Sequence, residues 1–128
     1  MLKKKLGIEA IERGWSWKYK IANYFKTTSS LTIPDSCERI GGSAFYECDR
    51  LKEVVISEGV KSIRGCAFCY CRKLKKVVIP DSVENIFDYA FAGCEKATVI
   101  LEKPEREFNV IGQDAFKGCK DVKEKVRT

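Results

Sequence analysis

Histidine is absent from the 128 residues, and proline (3), tryptophan (2) and methionine (1) are scarce. Without imidazole, Ser-His-Asp and Cys-His catalysis, His-ligated metal and imidazole acid–base chemistry are all excluded. No run approaches the roughly 20 apolar residues that cross a bilayer, so a soluble chain with no membrane partner is expected. The opening MLKKKLGIEAIERGW is basic at first, but Glu9, Glu12 and Arg13 interrupt the apolar core that a secretory signal needs. A cytoplasmic protein is therefore expected, and Met1 fits a complete chain. Disorder is excluded on other grounds. Apolar residues make up 45%, and the 24 basic and 18 acidic residues are mixed among Val, Ile, Leu and Phe. One compact domain is expected at this length.

What the sequence does hold is a repeat. Ala-Phe recurs at Ala44-Phe45, Ala67-Phe68, Ala90-Phe91 and Ala115-Phe116, at offsets of 23, 23 and 25. Three residues after each Phe stands a cysteine: Cys48, Cys71, Cys94 and Cys119. Four before each Ala comes Ile40, Ile63, Ile86 or Ile111, and three before that Cys37, Val60, Val83 or Phe108. Ile33-Pro34, Ile56-Ser57 and Ile79-Pro80 keep the same phase. Between cysteine and Ile-Pro, the runs Leu51-Lys-Glu-Val54-Val-Ile56 and Leu74-Lys-Lys-Val77-Val-Ile79 read as short strands, β-branched at their ends. Alternation points Val54 and Ile56 one way, and Glu53, Val55 and Ser57 the other. Pro-Asp-Ser then supplies a turn.

These columns resemble the BspA-like branch of the leucine-rich repeat family, whose repeat runs approximately I-P-x-x-V-x-x-I-G-x-x-A-F-x-x-C-x-x-L-x-x-V. Ile33-Pro34-Asp35-Ser36, Ile40-Gly41, Ala44-Phe45, Cys48 and Leu51 all stand in its register. The resemblance implies a right-handed, β-rich repeat solenoid with a parallel sheet on one face and short turns or strands on the other. It brings no catalytic residue. Stacking is obligatory on physical grounds, because a single coil buries too little apolar surface to offset the entropy of ordering it.

The expected organisation is an N-terminal cap and degenerate repeat over 1–30, repeats over 31–122, and a polar tail over 123–128. Ile21 and Phe25 fill the Ile and Phe columns of the shortened repeat, and Trp15, Trp17, Tyr19 and Ile21 alternate as a capping strand would. Two extra residues within Glu102-Lys-Pro-Glu-Arg-Glu107 leave the register of Val99 to Leu101 open.

Seven cysteines invite a metal or disulfide reading, and Cys66-x-x-Cys69-x-Cys71 has the look of a metal knuckle. The repeat argues against it. Cys71 lies in the inward column, whereas Cys66 aligns with Ser43, Tyr89 and Asp114, and Cys69 with Tyr46, Ala92 and Lys117, so both should point away from it. A fourth zinc ligand is also missing. The expectation is no metal, no cofactor and reduced thiols filling the core.

Charge separates by column. Arg50, Lys73 and Lys96 follow the cysteine by two residues, Lys52, Lys75 and Lys123 by four, and Arg72 and Lys120 join this basic rim. Asp35, Glu58 and Asp81 make the opposite rim acidic. Between them runs an outward stripe of Thr32, Val55 and Val78, continued by Leu101, beside Ser30, Glu53, Lys76 and Val99. The candidate binding residues are Arg50, Lys52, Glu53, Val55, Arg72, Lys73, Lys75, Lys76, Val78 and Lys96. A solvated rim and a stripe set by β-propensity alone would share this composition. The leading expectation is a non-enzymatic protein-binding module whose partner has an acidic surface. One alternative is an inhibitor that binds a nucleic acid or nucleoprotein enzyme, such as a phage-encoded anti-defence protein. Another is a fragment of a surface adhesin. An enzyme is disfavoured, since Glu53 and Glu58 lie on different columns and no phosphate-binding glycine loop is evident.

Overall fold

Each repeat carries residues that alternate inward and outward over one four-residue strand, then an Ile-centred segment that returns along the other wall. The computed structural model describes residues 8, 11–14 and 29–125. The longer strands β1 (Ser30–Ile33), β3 (Glu53–Ile56), β5 (Lys76–Ile79), β7 (Thr98–Leu101) and β9 (Asp121–Glu124) form one parallel sheet in that order. The two-residue strands β2 (Arg39–Ile40), β4 (Ser62–Ile63), β6 (Asn85–Ile86) and β8 (Val110–Ile111) form a second parallel sheet. Every pairing is with the equivalent strand one coil away, as a solenoid requires.

The core lies between the sheets and is built from stacked columns. Ile40, Ile63 and Ile86 are fully buried, as are Cys37, Val60 and Val83. Phe45, Phe68, Phe91 and Phe116 form a continuous stack with ring centroids 5.1, 5.0 and 5.9 Å apart. Adjacent strands in a sheet are about 4.8 Å apart, so equivalent rings of successive coils meet close to face-to-face. Two turns per coil use left-handed backbone. One falls at Ser43, Cys66, Tyr89 and Asp114, the other at Glu47, Tyr70, Gly93 and Gly118. Glycine at 93 has a second reason, since a Cβ there would run into the ring of Tyr70.

At the first coil, Ile11 is buried and its carbonyl accepts the Gly41 N–H at 2.7 Å. The Glu12 carboxylate accepts the Glu38 N–H at 2.9 Å. Gly41 is needed here, because a Cβ would collide with the Gly14 backbone. The aromatic capping strand and the Ile21 and Phe25 columns lie outside the described residues.

The last coil corrects the predicted register. Val77 pairs with Val99, Val78 with Ile100 and Ile79 with Leu101. Val99 and Leu101 are therefore fully buried, and Ile100 and Thr98 take the outward positions assigned to them in the sequence. The cause is an insertion partly offset by a deletion. The segment from Cys94 to Val99 is one residue shorter than that from Cys71 to Val77. The segment from Leu101 to Ile111 is three longer than that from Ile79 to Ile86, which leaves the net two. The added residues make a 3-10 turn at Glu105–Glu107. The closing polar segment forms β9, beside β7.

Phe68 stacks on a ring at either side and is fully buried. Phe68→Ala should lower the unfolding free energy by about 3–5 kcal/mol, read from urea denaturation against the wild-type chain. An unchanged midpoint would contradict the stack.

Candidate functional site

The outward face of the five-stranded sheet is the surface the repeat presents most regularly. Its first column runs Ser30, Glu53, Lys76, Thr98 and Asp121, and its second Thr32, Val55, Val78, Ile100 and Lys123. Glu53 and Lys76 are both exposed and directly paired in register, so opposite charges meet on neighbouring strands. Val55 is 56% exposed, and Val78 and Ile100 are half-buried beside it. Together they make a narrow apolar stripe. Lys123 belongs at the end of this stripe, opposite Ile100, and not in the column of Lys52 and Lys75.

The exposed basic edge is shorter than the sequence suggests. Arg50, Lys73 and Lys96 are exposed and occupy equivalent turns, because Leu51, Leu74 and Ala97 each return an N–H to the preceding cysteine carbonyl. Lys52 and Lys75 are exposed just before β3 and β5. In the next coil the one-residue deletion puts buried Ala97 in their place, and Lys120 follows one coil later. Arg72 stands between two acids, 3.9 Å from Asp49 and 3.8 Å from Glu95, with its guanidinium 5.6 Å from the Tyr70 ring centroid. Exposed pairs of this kind add little stability, but they make the column after the cysteine alternate in sign. The acidic rim is broken in the same way. Lys103 takes the position after Asp81, donates to its carbonyl at 3.0 Å and lies 4.6 Å from the Phe108 ring centroid.

Two features of this surface escape the repeat alignment. Ile100 is hidden by the deletion. Tyr70 and Tyr89, both substantially exposed, stand at left-handed positions where the alignment shows only variable residues. The Tyr46 ring meets that of Tyr70 edge-on, with centroids 5.8 Å apart.

The cysteines divide into two groups. Cys71, Cys94 and Cys119 donate their S–H to the carbonyls of Phe45, Phe68 and Phe91, one coil earlier, at 3.2, 3.0 and 3.3 Å. This ladder explains a thiol in the column where alanine would pack but could not donate. Cys37, Cys48, Cys71, Cys94 and Cys119 are free thiols. Cys66 and Cys69 are joined by a disulfide. This corrects the outward orientation expected of Cys69, which is 1% exposed. Left-handed backbone at Cys66 and the tight turn bring their Cα atoms to 4.7 Å. The sulfurs of the suspected knuckle are thus engaged with each other and with the Phe45 carbonyl. Among the described residues, no group of three or more Cys, Asp or Glu side chains is placed to hold a metal ion.

Burial pushes the Cys37 thiol up to about 12, with Glu12 adding to the shift, and the Cys48 thiol up to about 11, with Asp49 adding. Burial, then Cys94, raises Cys119 to about 12. The thiol of Cys71 is also raised, by its hydrogen bond with Cys94 and by burial. The hydrogen bond with Cys71 moves Cys94 the other way, and the fold favours the neutral thiols of Cys37, Cys48, Cys71 and Cys119. Their contribution to stability is complete below the ordinary thiol pKa of 9.0 and is lost as pH rises through the raised values. Urea midpoints should decline as pH climbs from 9 towards 12, and Cys48→Ala should make that decline shallower. Equal slopes for the two proteins would remove Cys48 from the effect.

The model of the BspA type leucine-rich repeat region (six copies) matches residues 20–126. A solved structure, of a leucine-rich repeat protein from Bacteroides ovatus, is similar with a TM-score of 0.63 and 32% identity. The likeness covers 74% of this chain and 25% of that one, so the match spans about a quarter of the length of the Bacteroides protein. No curated protein matches the chain. Leucine-rich repeat domains are generally protein-interaction scaffolds without catalytic activity of their own. The phase of the Ile, Phe and Cys columns, the two parallel sheets and the family match agree, and the chain belongs to the BspA-type leucine-rich repeat family.

Proposed function

We propose that this chain is a protein-binding module that uses the outward face of its main sheet, and that its partner carries an acidic surface. The observation that supports this reading is the stripe of Val55, Val78 and Ile100, with Val55 more than half exposed and lysines alongside it. A dry centre with a charged border is the composition of a small protein interface. Lys52, Lys75 and Lys76 supply the steering charge, with Arg50, Lys73 and Lys96 at the adjoining turn.

Asp49 and Glu95 beside Arg72 interrupt the basic edge, which suits a protein with discrete acidic groups better than a continuous phosphate backbone. Among the described residues no helix is long and apolar enough to cross a membrane. A cytoplasmic setting belongs to the same proposal and is supported by the five free thiols, with the Cys66–Cys69 bridge as the feature that opposes it.

The double variant K52E/K75E, which leaves the Glu53–Lys76 pair intact, should fold normally and recover the partner from source-cell extract at a level at least about tenfold below wild type. Equal recovery would refute the surface assignment. Binding to nucleic acid that falls steeply with salt would replace the protein partner with a phosphate backbone.

A further inference from the structure

Among the described residues β9 is the last strand of the sheet, and several features of it describe what fits its outer edge. Among the described residues, no strand pairs with its outer side. The N–H groups of Asp121 and Lys125 donate inward, to Ala97 and Leu101. Strand residues alternate in the direction of their backbone groups, so those of Val122 and Glu124 point to the open edge. The core columns behind β9 are also incomplete. Ile111, Phe116, Cys119 and Val122 are only partly buried, whereas Ile86, Phe91, Cys94 and Val99 one coil earlier are fully buried.

Lys120 and the strand after it carry a charge order that inverts every sign when read backwards: Lys120, Asp121, Val122, Lys123, Glu124. Two such strands run antiparallel about a two-fold axis at Val122 would oppose Val122 to Val122, Asp121 to Lys123 and Lys120 to Glu124 of the second copy. That gives four opposite-charge pairs around one apolar pair. A shift of one residue in one direction sets Asp121 against Glu124 and Lys120 against Lys125. The reverse shift sets Lys120 against Lys123. Like charges directly opposite destabilise a sheet, so the pattern selects one register. In that register the outward-pointing N–H and C=O of Val122 meet those of its symmetry mate, as an isologous interface demands.

We propose that the C-terminal end of the solenoid is a self-association surface, and that two copies of this chain join there through β9 into a continuous sheet. The partly buried ends of the Ile, Phe and Cys columns would then cover one another. The chain as it stands, of 14.6 kDa, should sediment as a concentration-dependent dimer. The amides of Val122 and Glu124 should exchange more slowly as protein concentration rises.

K123E should weaken association by about tenfold or more, since it turns two attractive pairs into repulsive ones. The charge swap D121K/K123D should restore it, because residues 121 and 123 of the two copies again oppose each other with opposite signs. Both variants alter exposed side chains, and circular dichroism with a thermal melt establishes that each is folded. A monomer at all concentrations up to several hundred micromolar would overturn the proposal. A dimer indifferent to K123E, or one in which the Val122 amide exchanges at the same rate at every concentration, would place the contact elsewhere and overturn it equally.

Discussion

The spacing of about 4.8 Å between neighbouring strands governs everything else in this protein. At that distance each residue is touched by its counterparts in the coils before and after it, so a position is shared by a column and not owned by one turn. The phenylalanine rings show the consequence most directly. They lie nearly parallel at 5.0–5.1 Å through the first three members, and the ring at the last coil, 5.9 Å from its neighbour, is looser because nothing in the described chain stacks beyond it.

The columns most constrained by this spacing were the ones legible in the sequence. Ile40, Ile63, Ile86 and the Ala-Phe pairs admit few substitutes, and their period places both sheets. What could not be read was local chain length. An insertion of three and a deletion of one leave the same net offset as an insertion of two, and only the pairing of Val99 with Val77 distinguishes them. A one-residue error in a strand exchanges its faces, which is why Ile100 took the place of Leu101 on the surface. The inward turn of Cys69 is hidden from the sequence for a different reason. Column alignment reports the average direction of a side chain, and the left-handed turn at Cys66 brings two sulfurs together where other coils carry Ser43 and Tyr46, or Tyr89 and Ala92.

The charged surface follows from the same geometry but obeys it less strictly. Like charges can be tolerated when stacked in water, so Arg50, Lys73 and Lys96 remain a uniform column. Elsewhere the signs alternate, with Arg72 between Asp49 and Glu95, and Lys103 after Asp81. Alternation lowers the repulsion of a stacked column and gives each coil a distinct electrostatic identity. The apolar stripe is therefore bordered by charge that is ordered along the solenoid axis.

The thiol ladder carries a liability of its own. Because each of these sulfurs serves a carbonyl in the turn before its own, a peroxide that converts one to the sulfinic acid places an anion between two turns and takes away the donor that joined them. Chemical ageing in such a molecule spreads along the axis from the lesion, and the ends, where sulfur is least covered, are where it begins.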